Sequence, residues 1–198
     1  MSEINKKRQP LGQPTGGEFA QHERGDADLS LGAPRPSFAA SGINGPDGPY
    51  TVTGYKAHNT RNGVAFAAKL RRDGKIVGDI ENDGNGGMTF VHYSNREESA
   101  LFGTYVKAWG GLKVYDVSPY EEEDVADALI TEFECSRALN GKFKAGKVPF
   151  LRAGEDPREG YRYISNPGST TEALVQKVRE TELGGRVWDG SRWVHTGL

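Results

Sequence analysis

What the chain has little of narrows it before any motif is read. One cysteine, Cys135, occurs in 198 residues. That excludes an internal disulfide framework and makes a reducing bacterial cytoplasm the expected compartment. Cys135 falls in a predicted helix among apolar neighbours, the setting of an inert thiol rather than a nucleophile. The four histidines, His22, His58, His92 and His195, form no H-x-x-x-H pair, so no zinc set of the usual kind can be written. No apolar run approaches a membrane span, and no signal-peptide hydrophobic region follows the start, so no membrane partner is expected. Net charge is −2, which provides no global field toward nucleic acid or an anionic membrane. A G-x-S-x-G elbow, a phosphate loop ending in Gly-Lys-Ser/Thr and a dinucleotide fingerprint after a strand are all missing. No catalytic residue, metal ligand set or cofactor is assigned.

Glycine, by contrast, is plentiful: 27 residues, beside 10 prolines. Residues 1–49 hold six of the prolines and eight of the glycines, with Ser, Asn and Gln and only Phe19 and Phe38 as aromatics. Such a stretch buries too little apolar surface to offset the entropy of ordering it, and it reads as a disordered arm. Within it, Lys6-Lys7-Arg8 is a basic patch that suits nucleic acid, or simply water. The segment Arg8-Gln9-Pro10-Leu11-Gly12-Gln13-Pro14-Thr15-Gly16-Gly17-Glu18-Phe19-Ala20 resembles a leader, R-x-P-x-G-x-P-T-G-G-x-F-A, of uncharacterised actinobacterial, phage and plasmid accessory proteins. The resemblance implies a mobile-element setting and names no activity.

The chain is organised around residues 63–93. Val64, Phe66, Ala68 and Leu70 recur at every second position, a strand with one apolar face. Arg72-Asp73-Gly74 predicts a three-residue turn with a glycine bulge, setting Leu70 opposite Ile76, Ala68 opposite Gly78 and Phe66 opposite Ile80. Beyond the second strand runs Asp79-Ile80-Glu81-Asn82-Asp83-Gly84-Asn85-Gly86-Gly87. Its D-x-E-x-D-G opening partly matches a calcium loop, but Phe90 stands where the bidentate carboxylate belongs. The other readings are a polar hairpin connection and an anion-binding nest of the Asn85, Gly86 and Gly87 amides, which the neighbouring acids would oppose. His92, on the third strand, is the candidate base beside a carboxylate. Alternation groups it with Met88 and Phe90, which equally suits a hydrogen-bonded histidine at the core edge.

A first strand is predicted over residues 50–57. Ser94-Asn95-Arg96-Glu97 should open a helix whose stripe of Leu101, Phe102, Tyr105, Val106 and Trp109 packs on the sheet, with Gly103 allowing a close approach and Gly110-Gly111 ending it. Ser118-Pro119-Tyr120-Glu121 should open a second helix. Glu121, Glu122, Glu123 and Asp124 would crowd its first turn, Val125, Leu129, Ile130 and Phe133 would mark its buried face, and Asn140-Gly141 would stop it. Lys142, Lys144 and Lys147, with Phe143 between, suit either a phosphate backbone or the negative end of the helix dipole. Residues 148–152 and 160–164 read as strands. Ser169-Thr170-Thr171-Glu172 opens a third helix with Leu174, Val175, Val178 and Leu183 on its apolar face. Val187 to Val194 reads as a hairpin around Asp189-Gly190 whose two tryptophans, Trp188 and Trp193, stack on each other or on a ligand.

The expected fold class is α+β: an antiparallel sheet covered by two helices over residues 50–141, a small α/β appendage at 142–198 packed on it, and the arm at 1–49. The expected function is protein binding without chemistry by an accessory protein of a phage, plasmid or actinobacterial host, an inhibitor of a host system being one form. The binding surface would comprise Asp79, Glu81, Asn82, Asp83, Gly84, Asn85, Gly86, Gly87 and His92, its acidic rim steering a basic partner. Two other classes compete: a Ca2+- or Mg2+-dependent binding or hydrolytic site at Asp79 to Gly87, and nucleic-acid binding through the two basic runs.

Overall fold

The structure, a computed structural model of the chain, describes residues 38–109 and 121–197. It is α+β, with three helices and two four-stranded antiparallel sheets among those residues. The first sheet takes β1 (Tyr50–Asn59), β2 (Val64–Arg72), β3 (Lys75–Asn82) and β4 (Phe90–Tyr93) in chain order. Helices α1 (Arg96–Trp109) and α2 (Glu122–Lys144) follow. The second sheet is built from β5 (Val148–Leu151), β6 (Arg162–Ile164), β7 (Arg186–Trp188) and β8 (Trp193–His195) in the order β6-β5-β7-β8, with α3 (Thr171–Thr181) between β6 and β7.

The hairpin register differs from the expected one. Asp73 and Gly74, at φ 49° and 78°, form a two-residue turn with Arg72 opposite Lys75. The bulge lies one step further in: Arg71 faces Ile76, but Leu70 faces Gly78. The extra residue is Val77, and the shift turns Val77 into the core while Ile76 is left outside. Ala68 then pairs with Ile80 and Phe66 with Asn82. A turn with both central residues at positive φ matches strand twist, and a bulge moved into the strand restores the apolar face that such a turn alone would break.

That inner face carries the main core. Tyr50, Val52, Ala68, Leu70, Val77 and Ile80 meet Phe102, Tyr105, Val106 and Trp109 of α1 and Val125, Leu129 and Ile130 of α2. Helix α1 starts one residue later than the Ser94 cap implies: Asn95 Oδ1 accepts the Glu98 N–H at 3.0 Å. Gly103 has nothing within 4 Å of the place its Cβ would occupy, so close packing is not its reason. The expected stop at Gly110-Gly111, and Ser118 to Tyr120 of the second start, lie outside the described residues. Glu121 is the residue before α2, and its N–H donates to Asp124 Oδ2 at 3.1 Å.

Asn140-Gly141 does not end α2, which runs to Lys144 before Gly146 turns the chain at φ 70°. The expected boundary at 141/142 therefore falls inside a helix. Its distal turns serve the second sheet: Leu139 packs with Trp188, and Trp188 Nε1 donates to Asn140 Oδ1 at 3.2 Å. Trp188 and Trp193 meet edge-on, ring centres 5.5 Å apart, so the tryptophans do stack on each other. Thr170 caps α3 by accepting the Ala173 N–H, and Leu174 and Val178 are buried, but Leu183 is exposed.

The expected arm is wrong from residue 38 onward; residues 1–37 lie outside the described residues. Residues 38–49 are a strap laid over α1 and α2 that also reaches Pro157 and Trp193. Phe38 packs edge-on against Trp109, centres 5.0 Å apart. The Glu132 carboxylate accepts the N–H groups of Ala40 and Ser41 and the Ser41 hydroxyl at 2.7–2.9 Å. Ala40 in turn accepts Trp193 Nε1 at 3.0 Å. Gly42, Gly45 and Gly48 lie against Pro157, Trp109 and Tyr105, where a Cβ would sit 2.5, 2.6 and 2.2 Å from a side-chain atom. The strap's glycines are there for contact, and Gly42, at φ 70°, for its backbone conformation as well.

Candidate functional site

Because α1 and α2 take one face of the first sheet, no described element covers the other. Cross-strand pairing lays its side chains in rows: Thr53, Lys69, Asp79, His92, and beside them Lys56, Ala67, Glu81, Phe90. Lys69 and Asp79 form an ion pair. His92 Nε2 lies 2.7 Å from Glu81 Oε1, with 58% and 56% of the two side chains exposed. The expected histidine–carboxylate pair therefore exists, but in open solvent, where an ion pair stabilises little and nothing dries the histidine for proton transfer. The core-edge placement of His92 with Met88 and Phe90 is corrected. Val91 and Tyr93 face inward, whereas Met88 and Phe90 are 52% and 56% exposed and the His92 ring stacks on Phe90 with centres 6.5 Å apart.

The β3–β4 connection is tied internally. Asn82 Oδ1 accepts the Gly84 N–H at 2.8 Å, and its Nδ2 donates to Gly87 O and Thr89 Oγ1, each at 3.2 Å. Asp83 Oδ1 accepts the Asn85 N–H at 2.9 Å, which holds that carboxyl below the usual range and commits the first donor of the imagined nest. Gly84, at φ 71°, is buried against the β1–β2 turn. Its carbonyl accepts the Thr60 hydroxyl at 2.6 Å, and a Cβ would stand 2.5 Å from Ala65 N. Asn85, Gly86 and Gly87 are exposed. The far end is pinned where Thr89 N–H donates to Glu123 Oε1 at 3.1 Å and its hydroxyl to Asp127 at 2.8 Å, so the first turn of α2 is partly an anchor.

The three acids of the supposed calcium loop thus engage separate partners: Asp79 a lysine, Glu81 a histidine, Asp83 a backbone amide. Among the described residues no group of three or more His, Cys, Asp or Glu is placed to hold a metal. The structure instead joins the loop to residues the spacing did not select. Lys56, His58, Ala65, Ala67, Glu81, Asp83 and Phe90 line a groove of about 550 Å³. Phe90 and Val91 set apolar beside apolar in a four-residue strand, so periodicity alone cannot say which faces out. Cys135 is half-buried beside Leu139 and Trp188, and burial pushes its thiol up, as an inert cysteine requires. Among the described residues no helix is long and apolar enough to cross a membrane. Set against protein-family models, curated proteins and solved structures, the chain matches none of them.

Proposed function

We propose that this chain is a protein-binding accessory protein that performs no chemistry and docks its partner on the outer face of the first sheet, beside the Asp79–Gly87 loop. The observation that carries the reading is Phe90, 56% exposed on a face that no described helix covers and forming one wall of the 550 Å³ groove. Exposed aromatic surface next to a concavity is the usual anchor of a protein interface. Asp83 stays ionised at the groove's rim, while Gly86 and Gly87 leave room for another backbone. The matching partner presents an apolar side chain for the groove and a basic one for Asp83. The leader at Arg8 to Ala20 supports a mobile-element or actinobacterial setting, with action in the host cytoplasm.

The test is a crosslinking pull-down from an actinobacterial lysate with the intact chain, a Phe90→Arg variant and a chain lacking residues 1–37. A protein captured by the intact chain and by the truncated one, but reduced at least tenfold by Phe90→Arg, supports the reading. Capture untouched by Phe90→Arg and abolished by the truncation moves recognition off the sheet and overturns it. The truncation must stop at 37, because the strap beginning at Phe38 belongs to the core.

A further inference from the structure

The far end of α2 carries a second surface with different chemistry. Arg137, Lys142 and Lys147 converge on a groove of about 450 Å³ whose remaining lining is Glu134, Ala138, Gly141 and Ala145. Ala138 and Gly141 on the helix and Ala145 just past its end are all small, so nothing bulky stands between the cations. None of the three cations has an ion-pair partner among the described residues; Glu134 supplies the groove's one negative charge. From the neighbouring sheet, β6 adds Tyr163, half exposed, with the ammonium groups of Lys142 and Lys147 at 5.4 and 5.1 Å from its ring centre. Phe143, the aromatic that lies between the lysines in the sequence, packs inward instead, against both cores of the second sheet.

Two like charges held over one ring repel each other, and the ring's quadrupole offsets only part of that. Phosphates drawn to the two ammonium groups would offset that repulsion. The helix C-terminus favours lysines here on its own account, but it does not explain an exposed tyrosine beside them or an arginine one turn and more upstream. Cations along a smooth groove with an aromatic face at one end are the parts that hold a single strand: phosphates on Arg137, Lys142 and Lys147, a base on Tyr163. We infer that this groove binds single-stranded nucleic acid, independently of the sheet face that docks protein.

Fluorescence anisotropy of labelled 12-mer oligothymidylate and oligouridylate with the full chain tests it, at 50 mM salt and upward. Binding should weaken with a log–log salt slope of roughly −2, three phosphate contacts on a single strand. Lys142→Gln/Lys147→Gln should lower affinity about tenfold or more and flatten the slope. Tyr163→Ala should also lower it about tenfold while keeping the slope, since stacking releases no counterion. Thermal melts confirm that each exposed-site variant folds. No binding at 50 mM salt overturns the inference. So does binding lost through Lys6, Lys7 and Arg8 to glutamine but indifferent to the groove variants, or displacement by a phosphotyrosine peptide at equal concentration. A Phe90→Arg chain should bind the oligonucleotides as the intact one does, which separates this outcome from the fate of the protein-docking reading.

Discussion

Two stretches of this chain carry three glycines each and have opposite fates. The strap, residues 38–49, places Gly42, Gly45 and Gly48 at every third position, each against a ring or a proline. The β3–β4 loop places Gly84, Gly86 and Gly87 close together, and of these only Gly84 is packed. In the strap, absence of a Cβ lets backbone lie directly on Trp109 and Tyr105. In the loop, glycine mostly serves backbone conformation and leaves a surface open. Glycine content therefore measures neither order nor exposure; what opposes each missing Cβ decides both.

Breaking the strap should cost most. Gly48→Val puts new carbons where the Tyr105 ring stands, with the Cβ site already 2.2 Å from a ring atom. Overpacking of this kind should cost about 3 kcal/mol, seen as a lower denaturant midpoint with an unchanged slope. If the melt is unaltered, the strap does not lie on α1. In the loop, Gly84→Ala should come next, at about 2 kcal/mol, because it combines a positive φ with a Cβ aimed at the Ala65 amide. Third is Glu132→Ala, which strips the acceptor from the Ala40 and Ser41 amides and the Ser41 hydroxyl. Leaving such donors without a partner should cost about 1–2 kcal/mol, and Glu132→Gln should recover part of it.

The same contrast explains how much can be read in advance. The α+β class and the antiparallel meander follow from period-two and helical spacing, which are clear in Val64 to Leu70 and in Phe102 to Trp109. The strap cannot be read, because its partners lie far along the chain: Glu132 is 91 residues from Ser41, and Trp193 is 153 from Ala40. Local composition holds no trace of such contacts. Asn140-Gly141 misleads for a related reason. Tertiary packing of Leu139 on Trp188 carries α2 through a weak local stop signal. Of the candidate site, the loop and a histidine beside one of its carboxylates are legible in the sequence; that the carboxylate is Glu81 is not. Phe90 facing solvent is not, and neither is Tyr163 beside two lysines, since both depend on which face another element covers.

A pH measurement sharpens the comparison within the loop itself. Asp83 titrates below the usual carboxylate range because the ionised form accepts the Asn85 amide. A depressed folded value means that this contribution is complete above the ordinary carboxylate pKa and is lost as pH falls through the folded value. The Asn85 amide resonance should therefore follow the Asp83 titration, with its midpoint below that of an exposed aspartate. A midpoint at the ordinary value would mean that the turn does not hold in solution.

The smallest effect on stability is expected at Gly87, and it bears most directly on function. Its φ is not in the left-handed region, and the nearest atom to the place a Cβ would occupy is Asp83 Oδ1 at 3.7 Å. Gly87→Ala should then leave stability within about 0.5 kcal/mol, any gain coming from a less free unfolded chain. If partner capture also stays unchanged, Gly87 is a spacer and the partner reads the Phe90 groove alone. Should capture fall while the melt holds, the missing methyl is what lets another backbone lie against the loop. In that event glycine plays the same part on the open surface that Gly45 and Gly48 play against the core, with the opposing surface supplied by a second molecule.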